Sequence, residues 1–204
     1  MTNEWGGLKN VWNAAIAPDD YKFWAIVSSD DTTNAPVEVW VTEDAGNSWE
    51  LTRLVNATGG GANWAYVAAI SISPMYNGKR DIAVGIRNGG QGVNALMEIW
   101  AIQSTAFSSW QLQTVLPPEI TGANTADVID LKFSPTYAAD SALAVIFSDT
   151  DQTFFNVALR DISNNNITSW AFNNSVEVKN PLSPSGASPG YITIVTADLE
   201  LPSD

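Results

Sequence analysis

Along the chain, apolar residues either alternate with polar ones or form short runs of Val, Ile, Phe and Trp, bounded by Gly, Asn, Asp and Pro. Both patterns predict strands and turns, because successive side chains of a strand point to opposite faces and turn residues end each run. No stretch of ten or more residues carries a helical stripe. Four strands are expected within residues 11–56, near Val11 to Ala17, Phe23 to Ser28, Val37 to Thr42 and Trp49 to Val55. Four more fall within 66–117, near Tyr66 to Ser73, Asp81 to Ile86, Leu96 to Ile102 and Trp110 to Leu116. A third set falls within 127–179, near Val128 to Ser134, Ala142 to Phe147, Phe155 to Arg160 and Trp170 to Val178.

The three sets repeat one another. Ala15-Ile16-Ala17-Pro18 returns as Ser71-Ile72-Ser73-Pro74 and as Lys132-Phe133-Ser134-Pro135, with the prolines 56 and 61 residues apart and Tyr21, Tyr76 or Tyr137 close behind. A second anchor, Trp49, Trp110 and Trp170, recurs at 61 and 60 residues, and each of the first two stands 25 residues before the next proline. Two anchors keeping step identify a structural repeat. After a Pro-, Ser- and Gly-rich linker at 180–190, Asp198-Leu199-Glu200-Leu201-Pro202 resembles Asp130-Leu131-Lys132-Phe133-Ser134, which predicts another first strand over 191–202.

Four antiparallel strands repeated at fixed length predict an all-β fold, a β-propeller of four-stranded blades. A β-sandwich is the alternative, and the unit is long for a stacked solenoid. The chain would hold three blades, at 11–56, 66–117 and 127–179, plus the first strand of a fourth: one partial propeller over 1–204. Propellers close with about four to eight blades. The expected partners are therefore the remaining blades of a longer chain or other copies of this one.

Thr42-Glu43-Asp44-Ala45-Gly46-Asn47-Ser48-Trp49 resembles the Asp-box, the Ser/Thr-x-Asp-x-Gly-x-x-Trp hairpin of BNR-repeat propellers, the sialidase-like superfamily. Asp44 can accept backbone N–H groups within the turn, Gly46 admits a positive φ, and Trp49 can pack on the sheet. The second unit lacks the Asp and Gly, and the third keeps Trp170 after an Asn-rich turn. Phrases such as Phe133-Ser134-Pro135-Thr136-Tyr137-Ala138-Ala139-Asp140 are also similar to repeats of bacterial cell-surface and surface-layer proteins. The resemblance implies that Thr42, Asp44, Gly46 and Trp49 are structural and lie away from any central site.

Composition narrows the chemistry. With no Cys and no His, disulfides, thiolate catalysis, imidazole bases and imidazole metal sites are excluded. Nine basic against 22 acidic residues give a formal charge of −13, which repels phosphate backbones, so nucleic acid is not an expected partner. No run of 18 apolar residues predicts a transmembrane helix, and no signal peptide is visible at the start. The sialidase resemblance would require an arginine triad, a Tyr nucleophile with its Glu and an acidic residue, yet only Arg53, Arg80, Arg87 and Arg160 exist. Asp127, Asp130 and Asp198 on first strands could pair as general acid and base. Asp30-Asp31 and Asp149-Thr150-Asp151 offer oxygen ligands, so Ca²⁺ through Asp149 and Asp151 is the one candidate ion, and no other cofactor is expected. Trp64, after three glycines, is the candidate ligand contact. Asn56, Asn166 and Asn173 head glycosylation sequons.

These residues favour a non-catalytic propeller segment, extracellular or at a prokaryotic cell surface, with a structural, scaffold or surface-layer role. A glycan-binding or sialidase-type propeller, or a protein-binding assembly factor, is the alternative.

Overall fold

A computed structural model describes residues 10–29, 38–53, 65–88, 97–103, 106–107, 110–118, 120, 127–148, 152–164, 166–173, 175–177 and 197–202. These residues are all-β apart from one helical turn, and their sheets are antiparallel. The first repeat unit forms a four-stranded sheet in chain order: β1 (Asn10–Ala17), β2 (Asp20–Ser29), β3 (Glu38–Thr42) and β4 (Glu50–Arg53). In the second, β5 (Ala65–Ile72) pairs β6 (Lys79–Asn88), which pairs β7 (Met97–Gln103), with β8 (Ala106–Phe107) and β9 (Gln111–Gln113) sharing the far side of β7. The third runs β10 (Asp127–Phe133), the helical turn α1 (Tyr137–Asp140), β11 (Ala142–Ser148) and β12 (Thr153–Asp161), whose outer side carries both β13 (Asn166–Trp170) and β14 (Val176–Glu177). A lone backbone pairing, Asp127 opposite Arg87, joins β10 to β6, so the second and third units count as one ten-stranded sheet.

The units associate through their faces. β5 lies between β1 and β10, which places the three first strands side by side. One core joins Phe23, Val27 and Val41 of the first unit to Ile72, Val84 and Trp110 of the second. Another joins Ala83, Met97 and Ile99 of the second unit to Leu131, Phe133 and Val145 of the third. Alternation explains how one strand feeds two cores: on β6, Ile82 and Val84 turn one way and Ala83 the other.

Each first strand contains a β-bulge at the same place. In β1 the register against β2 slips between Val11 and Asn13, in β5 between Val67 and Ala69, and in β10 between Val128 and Asp130. The extra residue is Trp12, Ala68 or Ile129, each six positions before the proline of its unit. A bulge bends and twists its strand and leaves a backbone N–H out of the ladder. Beside two of them a side chain accepts that kind of group: Asn13 Oδ1 takes the N–H of Ala14, and Asp130 Oδ1 that of Leu131, both at 2.8 Å.

The repeating tryptophans join neighbouring units. Trp110 Nε1 donates to Thr52 Oγ1 on β4 at 3.1 Å, and Trp170 Nε1 donates to the carbonyl of Val115 in the second unit at 3.0 Å. Gln113 Oε1 adds a third link by accepting the N–H of Ile167 at 2.7 Å.

One expectation needs correction. The last strand of the third unit was expected to begin at Trp170, but β13 ends there. The chain leaves the ladder after Trp170 because buried Asn156 takes over its hydrogen bonds: Nδ2 donates to Phe172 O at 3.1 Å and Ser175 Oγ at 2.7 Å, and Oδ1 accepts the Phe172 N–H at 3.2 Å. Of the further first strand expected over 191–202, residues 191–196 lie outside the described residues, and 197–202 join no ladder among those described. That segment is instead tied to β10 by side chains, through Leu199 N–H to Asp130 Oδ2 at 2.6 Å and Lys132 to Glu200 at 3.3 Å.

Gly85 on β6 lies tight against β10 of the third unit. A Cβ there would meet Val128 Cγ1 at 2.4 Å and Leu131 Cδ2 at 3.2 Å. Gly85→Ala is expected to destabilise the chain by about 1–3 kcal/mol through overpacking, read as a lowered denaturation midpoint at unchanged m-value.

Candidate functional site

Neighbouring residues Arg80 and Asp81 on β6 point to opposite faces, and each meets a different unit. Asp81 faces the third unit: its Oδ1 accepts the Tyr76 hydroxyl at 2.7 Å, and its Oδ2 accepts both the Tyr137 hydroxyl at 2.5 Å and Arg160 Nη1. Arg160 Nη1 also donates to the Tyr137 hydroxyl oxygen at 2.7 Å. The side chains of Asp81 and Arg160 are wholly buried. The two phenol rings meet edge to face at 5.5 Å. Burial, then the adjacent Asp81 charge, pushes both phenols well above their ordinary pKa. Tyr76 and Tyr137 therefore stay protonated donors, unsuited to nucleophilic attack.

Arg80 faces the first unit. Its Nη1 donates to Asp19 Oδ1 and, at 3.2 Å, to the carbonyl of Ser73, while Nη2 stands 3.8 Å from Asp20. Its guanidinium lies over the Phe23 ring at 5.3 Å. Partial burial raises the Asp19 pKa, but the bonds from Arg80 and from the Met75 N–H outweigh it and hold the carboxyl below its usual range.

The turn between β3 and β4 is held by its own side chains. Thr42 Oγ1 donates to Asp44 Oδ1 at 2.8 Å and accepts the Gly46 N–H at 2.9 Å. Asp44 also accepts the Ser48 hydroxyl at 2.7 Å and the Ser48 N–H at 2.8 Å. Ala45 and Gly46 take φ of 59° and 88°, and Trp49 Nε1 donates to Gly46 O at 3.1 Å. Ser48 and Thr42 lower the Asp44 pKa to about 2. These bonds close the hairpin turn on itself.

Asp30, Asp31, Asn56, Trp64, Asp149 and Asp151 lie outside the described residues. Asn166 is exposed at the start of β13, and Asn173 is exposed beyond its end. Among the described residues no three acidic side chains converge as a metal site. Burial raises the Asp130 pKa against the pull of the Leu199 and Leu131 N–H groups and of Lys132, and the Asp198 charge adds to the rise.

No family model and no curated protein matches the sequence. Among solved structures, Trypanosoma rangeli sialidase aligns with 81% of this chain and 30% of its own at 14% identity and a TM-score of 0.46. The same sialidase in complex with sialic acid aligns at 80% and 30%, 15% identity and a TM-score of 0.44. An ancestral GH74 enzyme aligns at 79% and 27%, 14% identity and a TM-score of 0.36. The chain thus spans under a third of the length of each.

Breaking the Asp81–Arg160 pair from one side strands a buried charge. Asp81→Asn or Arg160→Met alone is expected to cost about 3–5 kcal/mol, and the double variant less than the sum of the two. Chemical denaturation of all four proteins measures the coupling, and additive losses would show that the pair does not act as a unit.

Asp44 predicts acid sensitivity of the hairpin. Its folded pKa lies below the ordinary 3.8, so its contribution is full above about pH 4 and is lost as pH falls from there toward 2. A carboxyl-resolved NMR titration is expected to place its midpoint near 2, and Asp44→Asn to remove this part of the pH dependence.

Proposed function

We propose that the chain is a segment of a β-propeller, three blades with β1, β5 and β10 as their innermost strands, and that its role is that of a scaffold at a cell surface or outside the cell. The observation that supports a structural role is the use made of buried charge. Asp81, Arg160 and Arg80 are each committed to holding one unit to the next, and the two tyrosines beside them are held neutral. Charges buried and paired in this way present no open group to a substrate. No helix among the described residues is long and apolar enough to cross a membrane, and the acidic, Cys-free, Asn- and Ser-rich composition is of the kind seen in surface-array proteins.

A second reading, a glycan-binding or sialidase-type propeller, is favoured by one observation, the Asp130 and Asp198 pair. A carboxyl whose pKa is raised by burial, with a neighbouring charge adding to it, is the kind of group a general acid requires. Against this, both Asp130 oxygens already accept backbone N–H groups.

A panel of fluorogenic glycosides and a glycan array separate the two readings. No turnover and no glycan bound is the expected result. Reproducible hydrolysis that disappears in Asp130→Asn would establish the second reading and end the first.

A further inference from the structure

Among the described residues, β5 and β10 pack side by side without a backbone pairing, and a side chain makes the link instead. The Phe133 N–H on β10 donates to Ser71 Oγ on β5 at 3.3 Å. Ile72 pairs Ile82 and Phe133 pairs Leu143, so Ile72 and Phe133 are equivalent in the repeat, and Ser71 and Lys132 stand one place earlier. The donor on the later first strand is therefore one position beyond the acceptor on the earlier one.

Residues 197–202 meet β10 in the same register. Asp198-Leu199-Glu200-Leu201 matches Asp130-Leu131-Lys132-Phe133, which puts Leu199 in the place of Leu131. Its N–H donates to Asp130 Oδ2 at 2.6 Å, again from one position beyond the acceptor. Burial alternates along the segment as it does along a strand: Ala197, Leu199 and Leu201 are half-buried, and Asp198, Glu200 and Pro202 are exposed. Leu131 and Phe133, the equivalents of Leu199 and Leu201, are buried.

The first strand of the third unit departs from the other two at the positions that make this contact. By pairing with the second strand of each unit, Asp130 is equivalent to Asn13 and Ala69, and Lys132 to Ala15 and Ser71. Units one and two are uncharged there. In unit three, Asp130 divides its oxygens: Oδ1 accepts the Leu131 N–H of its own strand, and Oδ2 reaches the arriving segment. Lys132 Nζ stands 3.3 Å from Glu200 Oε1.

We infer that β10 carries a strand-docking site, in which Asp130 captures a backbone N–H and Lys132 the acidic side chain that follows it, and that residues 197–202 fill this site as the first strand of a fourth unit. The segment that fits is extended, apolar at alternate positions and acidic between them. The inference rests on the propeller reading proposed above and adds a strand to it.

Amide hydrogen exchange followed by NMR on the 204-residue chain tests the docking. The Leu199 amide is expected to be protected in the parent and to exchange about ten-fold faster in Asp130→Ala. Lys132→Glu is expected to speed it about three-fold, and adding Glu200→Lys to that variant to restore the parent rate. Both charged side chains are partly or largely exposed, so the swap keeps the test open should Asp130→Ala fail to fold. Phe133, bonded to Ser71, serves as the internal reference for the packing of β10 on β5. Leu199 exchanging freely while Phe133 stays protected, or a swap that does not restore the rate, would overturn the inference alone. Free exchange at both amides would overturn the propeller reading beneath it.

Discussion

A sheet that is apolar on both faces cannot stand alone in water, and this constraint governs the molecule. β3 shows it in five residues: Glu38, Val39, Trp40, Val41 and Thr42 are all buried, with no alternation left to mark a wet side. At roughly 25 cal/mol for each Å² of apolar surface removed from water, burying both faces is the main stabilising term, and only a stack of sheets provides it. The bulges in the three first strands serve the same end. They occupy equivalent positions, so each unit bends alike and presents an equivalent surface to the next.

Apolar stacking sets no orientation by itself, and the polar groups at the junctions supply it. Asp81 accepts bonds from the second unit through Tyr76 and from the third through Tyr137 and Arg160, which fixes how far one sheet is rotated on the other. The first junction has a different solution. The position equivalent to Asp81 is Phe23, and the charged contact shifts to Arg80 and Asp19 at the exposed end. The two junctions therefore share geometry but not chemistry. One would survive a change of pH or salt better than the other, since the buried pair is screened little and the partly exposed one more.

Much of the fold could be read from the chain because it is written three times. The first strands after the anchors, the alternation and the turn at Asp44 to Gly46 need only local grammar, and each falls close to where the pattern placed it. The split of the outer strand at Trp170 was not legible. It depends on Asn156, a polar residue in an apolar strand whose partners lie across the sheet. The Asp81 and Arg160 pair was equally hidden, because its partners are 79 residues apart and meet only after two units have stacked. One signal did point to it: Tyr76 and Tyr137 each stand two residues after their proline, while Tyr21 stands three after Pro18 and is exposed. The shared offset marks the two tyrosines that point inward.

The short outer strands have an effect on solubility. Among the described residues, β9 has three residues and β13 ends at Trp170, so the outer rims of the second and third units carry a ladder that is broken there. A rival strand finds nothing long enough to extend, which is how natural sheets avoid open-ended pairing into cross-β aggregates. A protein that leaves its sheet faces apolar while keeping its sheet edges short directs association into one channel. Apolar faces can pack, but at these broken rims the backbones have little opportunity to zip together.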